Sequence, residues 1–100
     1  MAAVPTYLNA HADEGRERRR LRHLEAWHDP ATVRHLRATG IGAGWRCLEV
    51  GAGGGSITRW LGEQVGTSGS VVALDADPRY LTDLPGTVEV RRHDLLVDDL

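Results

Sequence analysis

Three acidic residues, Glu49, Asp75 and Asp94, stand at or just past the ends of three short strand-like segments, and a glycine-rich stretch, Gly51-Ala52-Gly53-Gly54-Gly55, follows the first of them. Glycines between a buried strand and a helix let the backbone approach a ligand closely and adopt torsions closed to other residues. In a doubly wound sheet that is where a nucleotide cofactor sits. A glycine loop alone also serves as a tight strand-to-helix turn, so its neighbours must decide. The dinucleotide pattern GxGxxG requires glycine at position 56, where this chain has Ser56; the match is to GxGxG through Gly51, Gly53 and Gly55. No Lys-Ser or Lys-Thr follows, which excludes a P-loop. Glu49 precedes the first glycine by two residues. A carboxylate there repels a pyrophosphate and suits a ligand with an ammonium or other positive group, and if buried it needs a partner. Asp75 follows Gly55 by 20 residues, the separation at which an acid accepts from ribose hydroxyls. The competing role for this segment is helix entry, for which Asp77 before Pro78 is the better N-cap.

The elements that must position these groups can be read from apolar spacing and breakers. Cys47 to Val50 and Val71 to Leu74 are short apolar runs of strand length, the second without alternation, as for a strand buried on both faces. Val88 to Arg92 makes a third strand. Ser56 can cap a helix from Ile57 to about Gln64, with Ile57, Trp60 and Leu61 on one face. Pro78 opens a short helix ended by Pro85-Gly86. Strands alternating with helices predict an α/β parallel sheet with right-handed crossovers, in the spatial order 3-2-1. Residues 1–40 read as two helices: one from Asp13 to His28 with a narrow stripe of Leu21, Leu24 and Trp27 or His28, then a second capped by Asp29 with Pro30 at its first position, burying Val33 and Leu36. Gly40 stands where a helix-ending glycine belongs.

The segments CLEVGAGGGS, VVALDADP and VEVRRHDLL, together covering much of residues 41–100, resemble the class I, Rossmann-like, seven-strand S-adenosylmethionine-dependent methyltransferases. The resemblance implies that Glu49 and the backbone of Gly51, Ala52, Gly53 and Gly55 hold the methionine end of S-adenosylmethionine. It implies that Asp75 takes the ribose hydroxyls with Ala76 beside the adenine, and that Asp94 accepts from the adenine amino group with Leu95 next to it. The expected activity is methyl transfer by in-line displacement to a small-molecule acceptor. The alternatives are half of an NAD(P)-dependent oxidoreductase domain or a binding module without chemistry. No catalytic residue is assigned. Such a domain needs further strands, so residues 41–100 read as its amino-terminal half, within a longer protein, with the first strand left as an apolar edge.

Composition narrows the class further. The 100 residues are 41% hydrophobic and 26% charged with net charge −2, the balance of a soluble globular domain rather than a disordered or membrane chain. No apolar run approaches the roughly 20 residues of a membrane span, and the first residues have no signal-peptide core, so a cytoplasmic protein is expected, with neither membrane nor nucleic acid as partner. All 12 basic residues are arginine. Arg16, Arg18, Arg19, Arg20 and Arg22 interleave with Glu14, Glu17 and Glu25, which reads as a solvated helix face with ion pairs. His11, His23, His28 and His35 show no metal-ligand spacing. His28 and Tyr7 are candidates to close over a cofactor. Cys47, the single cysteine, reads as a small apolar strand residue, and Trp45 and Trp60 as core.

Overall fold

The computed structural model describes residues 6–98, with side chains described from Glu14 onward, so Tyr7 and His11 lie outside the described side chains. Three strands, β1 (Arg46–Val50), β2 (Ser70–Asp75) and β3 (Val88–Arg92), form a parallel sheet in which β2 is central. The order is the expected one. Leu48 pairs with Val72, and Val72 in turn with Glu89. All three strands therefore end at the same sheet edge, which brings Glu49, Asp75 and Asp94 to one end of the sheet.

The helix α2 (Ser56–Val65) crosses between β1 and β2 and packs on one sheet face. Its Leu61 and Val65 bury against Val71, with Cys47, Ile57, Trp60 and Val88 around them. A smaller cluster of Ala52, Ala73 and Leu81, backed by Leu84 and Val88, closes the core beneath the glycine loop. Alternation along β1 turns Cys47 and Glu49 toward this covered face. Leu48 and Val50 face the other way and are 58% and 45% exposed.

Four local expectations are corrected. Residues 6–38 form one 33-residue helix, α1 (Thr6–Ala38), with Pro30 inside it, rather than two helices capped by Asp29. An interior proline forfeits one backbone hydrogen bond and crowds the carbonyl four residues back. Here that is the carbonyl of Ala26, a small exposed residue, and apart from Gly15 no other glycine or proline breaks the helix. Ser56 does not cap α2 but is its first residue. The N-cap is Gly55, left-handed at φ 88°, with no side-chain cap. The stripe of Leu24, Trp27 and His28 is exposed, with Trp27 82% accessible, because Leu21, Glu25, Asp29, Thr32 and Leu36 turn most directly toward the rest of the fold, and Leu24 and His28 only border the space between. Trp45 is 42% exposed and outside the core clusters, whereas Trp60 packs on the core with the Arg37 guanidinium 6.0 Å from its ring centre. Gly40 ends α1 as expected, with φ 84° and its N–H donating to the carbonyl of Arg37. No helix of the described residues is long and apolar enough to cross a membrane.

The entry to β2 is a tight crossing of two backbones. The Ser70 N–H donates to the carbonyl of Trp45 at 3.0 Å. A Cβ added at Gly69 would lie 2.6 Å from that carbonyl oxygen and against Val65. At Gly42 the nearest atom would be 3.8 Å away. Gly69→Ala is therefore expected to lower stability by about 1–3 kcal/mol, and Gly42→Ala to stay within about 0.5–1 kcal/mol of the parent. Urea unfolding followed by tryptophan fluorescence makes the comparison; equal midpoints for the two variants would contradict the packing described.

Candidate functional site

The glycine loop is built around the end of β2. The N–H groups of Gly51 and Ala52 both donate to the carbonyl of Leu74, at 2.8 and 3.0 Å, which folds the chain back over the sheet edge. Gly51, Gly53 and Gly55 all have positive φ (74°, 59° and 88°), a region closed to most side chains. The Gly53 N–H then donates to Oδ2 of Asp75 at 2.9 Å, while Oδ1 of the same carboxylate accepts from the N–H of Asp77 at 2.9 Å. Asp75 thus ties the loop after β1 to the loop after β2. A carboxylate has about four acceptor positions, so two remain for a ligand. Asp77 caps the 3₁₀ turn Pro78–Tyr80, its side chain accepting from the N–H of Arg79 at 3.4 Å.

Glu49 points into the covered side of the loop. Its Oε1 accepts from the Thr58 hydroxyl at 2.9 Å, and its Oε2 is buried without a partner. The partner expected for a buried carboxylate is therefore present for one oxygen only. Burial pushes the Glu49 carboxyl above the usual carboxylate range; the Thr58 hydrogen bond pulls it part of the way back, and the charges of Asp29 and Asp75 push it further up. Burial likewise raises the Cys47 thiol, consistent with a packing role.

Two of the cavities that border the loop hold expected site residues. The larger, about 480 Å³, lies between α1, the end of β1 and the start of α2. Glu49, Gly51, Ala52 and Gly53 line it, facing Glu25, His28, Asp29 and Thr32 of α1. The smaller, about 280 Å³, holds Asp75, Asp77 and Tyr80 opposite Glu17 and Arg20. Gly53 and Leu21 belong to both. A Cβ at Gly53 would lie 3.6 Å from Leu21 Cδ2, and one at Gly54 would run into the Glu25 carboxylate, so α1 rests directly on the loop and divides the site. The larger cleft has no arginine in its lining, and three carboxylates, those of Glu25, Asp29 and Glu49, face it. Ser56 and Ile57, at the uncapped start of α2, line the same cleft, and backbone N–H groups there favour a negative group.

The remaining expected site residues stand apart. Gly55 is buried beneath Leu81 and Leu84 and serves as the cap of α2. Ala76 is exposed beside Asp75. Asp94 follows β3 at the same sheet edge, but its Oδ1 accepts from the Leu96 N–H at 2.9 Å, its own N–H donates to Oδ2 of Asp98 at 2.8 Å, and it lines neither cleft. Leu95 is 54% exposed. The sequence reading missed Glu25, Asp29 and Thr32, whose four- and three-residue spacing puts them on one helix face with His28 alongside. Thr58 gave no local signal, because only the fold brings it to Glu49. Among the described residues, no group of three or more His, Cys, Asp or Glu side chains is arranged to hold a metal ion. The chain matches no protein-family model, no curated protein and no solved structure.

The raised Glu49 carboxyl has a definite sign in stability. The folded protein keeps this proton to a higher pH than the unfolded chain does, so folding loses stability as pH rises from about 4.5, the ordinary glutamate value, through the raised one. Glu49→Gln removes this contribution. Melting temperatures recorded from acid to neutral pH should show the variant gaining on the parent as pH rises. A melting temperature of the variant that stays constant relative to the parent, or falls relative to it, as pH rises would place the charged Glu49 in a solvated position.

Proposed function

We propose that the protein binds S-adenosylmethionine along the glycine loop and serves methyl transfer to a small molecule. The observation that carries this reading is the pairing of opposite recognition elements in the larger cleft. Glu49 lines the cleft with its buried Oε2 lacking a partner, so an ammonium drawn in against it would supply the missing hydrogen bond, and the start of α2, which has no side-chain cap, can donate to a carboxylate. Together they suit the zwitterionic end of an amino acid. Glu25 and Asp29 add negative charge that favours a sulfonium and disfavours the pyrophosphate of a dinucleotide. On the other side of Gly53, the free acceptor positions of Asp75 support the reading by offering partners for ribose hydroxyls beyond the amino-acid end. Methyl transfer then rests on holding the acceptor in line with the methyl carbon, a matter of position more than of acid–base chemistry.

Titration calorimetry with S-adenosylmethionine, its demethylated product and NAD tests this directly. Binding of the first two with little or none of the third is expected; tight NAD binding without the others would overturn the reading. Product formation from a panel of small acceptors then separates an enzyme from a binding module.

The two clefts should also separate by mutation. Asp75→Ala is expected to raise the dissociation constant for S-adenosylmethionine about tenfold or more, since a hydrogen bond to a charged group is worth about 1.5–3 kcal/mol. Asp77→Ala should change it far less. Adenosine alone should lose affinity with Asp75→Ala and keep it with Glu49→Gln, whereas S-adenosylmethionine should lose affinity with both. Calorimetry on variants with unchanged far-ultraviolet dichroism measures this. An equal loss of adenosine binding in both variants would mean that the two ends of the ligand are wrongly placed.

A further inference from the structure

A third cavity, of about 280 Å³, lies on the far side of Gly54 from the larger cleft and has the opposite charge character. Arg18 and Arg22 enter it from α1, one helical turn apart on the same face, and Arg59 enters it from α2. None of the ion pairs among the described residues involves any of these three side chains. Arg59 is held by neutral acceptors, the carbonyls of Thr82 at 3.0 Å and Asp83 at 3.4 Å. That fixes its fork while leaving its charge and several of its donors uncommitted. The Arg18 guanidinium sits 5.0 Å from the centre of the Tyr80 ring, a cation–π arrangement that positions the group without neutralising it. Asp83, whose backbone is left-handed at φ 55°, shapes the loop that presents both carbonyls to Arg59. The carboxylates of Glu25 and Asp83 also border the cavity. They offset part of the charge, leaving three guanidinium groups against two carboxylates.

We infer that this cavity binds the phosphoryl group of a small phosphate ester. Three guanidinium forks from two helices offer more donors than the two oxygens of a carboxylate can accept, and Tyr80 and Thr82 complete the lining. A tetrahedral group with three terminal oxygens uses them, and arginine matches phosphate oxygens in paired hydrogen bonds. The volume admits the phosphoryl group with a small substituent. The site adjoins the cleft assigned to S-adenosylmethionine, sharing Leu21, Glu25 and Gly54 with it, but its arginines line that cleft nowhere and the inference does not depend on that assignment.

Inorganic phosphate is the probe, titrated into the protein at constant ionic strength, with acetate in a parallel series. The readout is the set of arginine side-chain and Gly54 backbone resonances in proton–nitrogen spectra. Saturable shifts confined to Arg18, Arg22, Arg59 and Gly54 are expected with phosphate and not with acetate. Arg22→Gln should weaken the phosphate titration about tenfold. Arg22 makes no hydrogen bond or ion pair among the described residues, so the fold should survive its loss. Arg34→Gln, at an exposed position on α1 outside this cavity, should leave the titration unchanged. Shifts of equal size with acetate, the absence of saturation, or equal weakening by Arg22→Gln and Arg34→Gln would each overturn the inference, since any of them marks diffuse attraction to an arginine-rich helix.

Discussion

The Asp75 carboxylate is the constraint on which the upper surface of this fold depends. One of its oxygens holds the Gly53 N–H and the other the Asp77 N–H, so a single side chain at the end of the central strand fixes the loops that leave two neighbouring strands. The Asp75 carbonyl also accepts from the N–H of His93 at 2.9 Å, joining the exit of β3 to the same residue. Charge-assisted hydrogen bonds of this kind are roughly twice as strong as neutral ones. Gly53 can meet the carboxylate because its left-handed torsion turns its N–H toward β2, and a side chain there would press on Leu21. The position of every other group around the loop follows from that tether.

The tether also explains why a polar, largely exposed helix is seated so definitely. Leu36 and, just past the helix end, Ile41 anchor α1 on the core. Beyond them the helix has little apolar surface to bury, and its amino-terminal half is held where Leu21 and Glu25 meet Gly53 and Gly54. Polar contacts with the loop after β2 extend the seating, from Glu14 to Arg79 at 3.1 Å and from Arg18 to Tyr80. Exposed ion pairs contribute little individually, so the close fit of helix to glycine backbone does more to set the position. The absence of side chains at Gly53 and Gly54 thus has two consequences, because the same bare backbone that a ligand can approach is the surface on which α1 rests.

The sheet was the most legible part of the sequence. Its first two strands are short, mostly apolar runs bounded by glycine and charge, and parallel pairing follows from helical segments alternating between the strands. Val88–Arg92 matches the expected strand to the residue. The end of α1 was legible too, because Gly40 has a single local reason to be there. The interior of α1 was not. Asp29-Pro30 has the local chemistry of a helix start, and only the lack of any competing break on either side lets the helix run through it. The loop acids divided in the same way. That Glu49 and Asp75 would stand beside the glycine loop could be inferred from strand position, whereas the Thr58 hydroxyl and the α1 carboxylates reach the site through tertiary packing that no local pattern records. Asp94 shows the limit from the other side. Its position after β3 was readable, but its engagement with Leu96 and Asp98 depends on a turn that forms only once the chain leaves the sheet.

Charge is sorted around the glycine loop by a single helix. On one side of Gly54, α1 presents Glu25 and Asp29 to the cleft that holds Glu49; on the other, Arg18 and Arg22 face Arg59. Glu25 borders both spaces, and its carboxylate lies against Gly54, between them. Arg18, Arg22, Glu25 and Asp29, spaced four, three and four residues apart, share one face of α1, so the charge is sorted along the helix axis rather than around it. A run of alternating acids and arginines, which in sequence resembles nothing more than a solvated face, acquires two chemically distinct surfaces once it is laid across a ridge of bare backbone. The net charge of −2 conceals that separation, because the acidic and basic groups cancel in the sum while remaining on opposite sides of one loop.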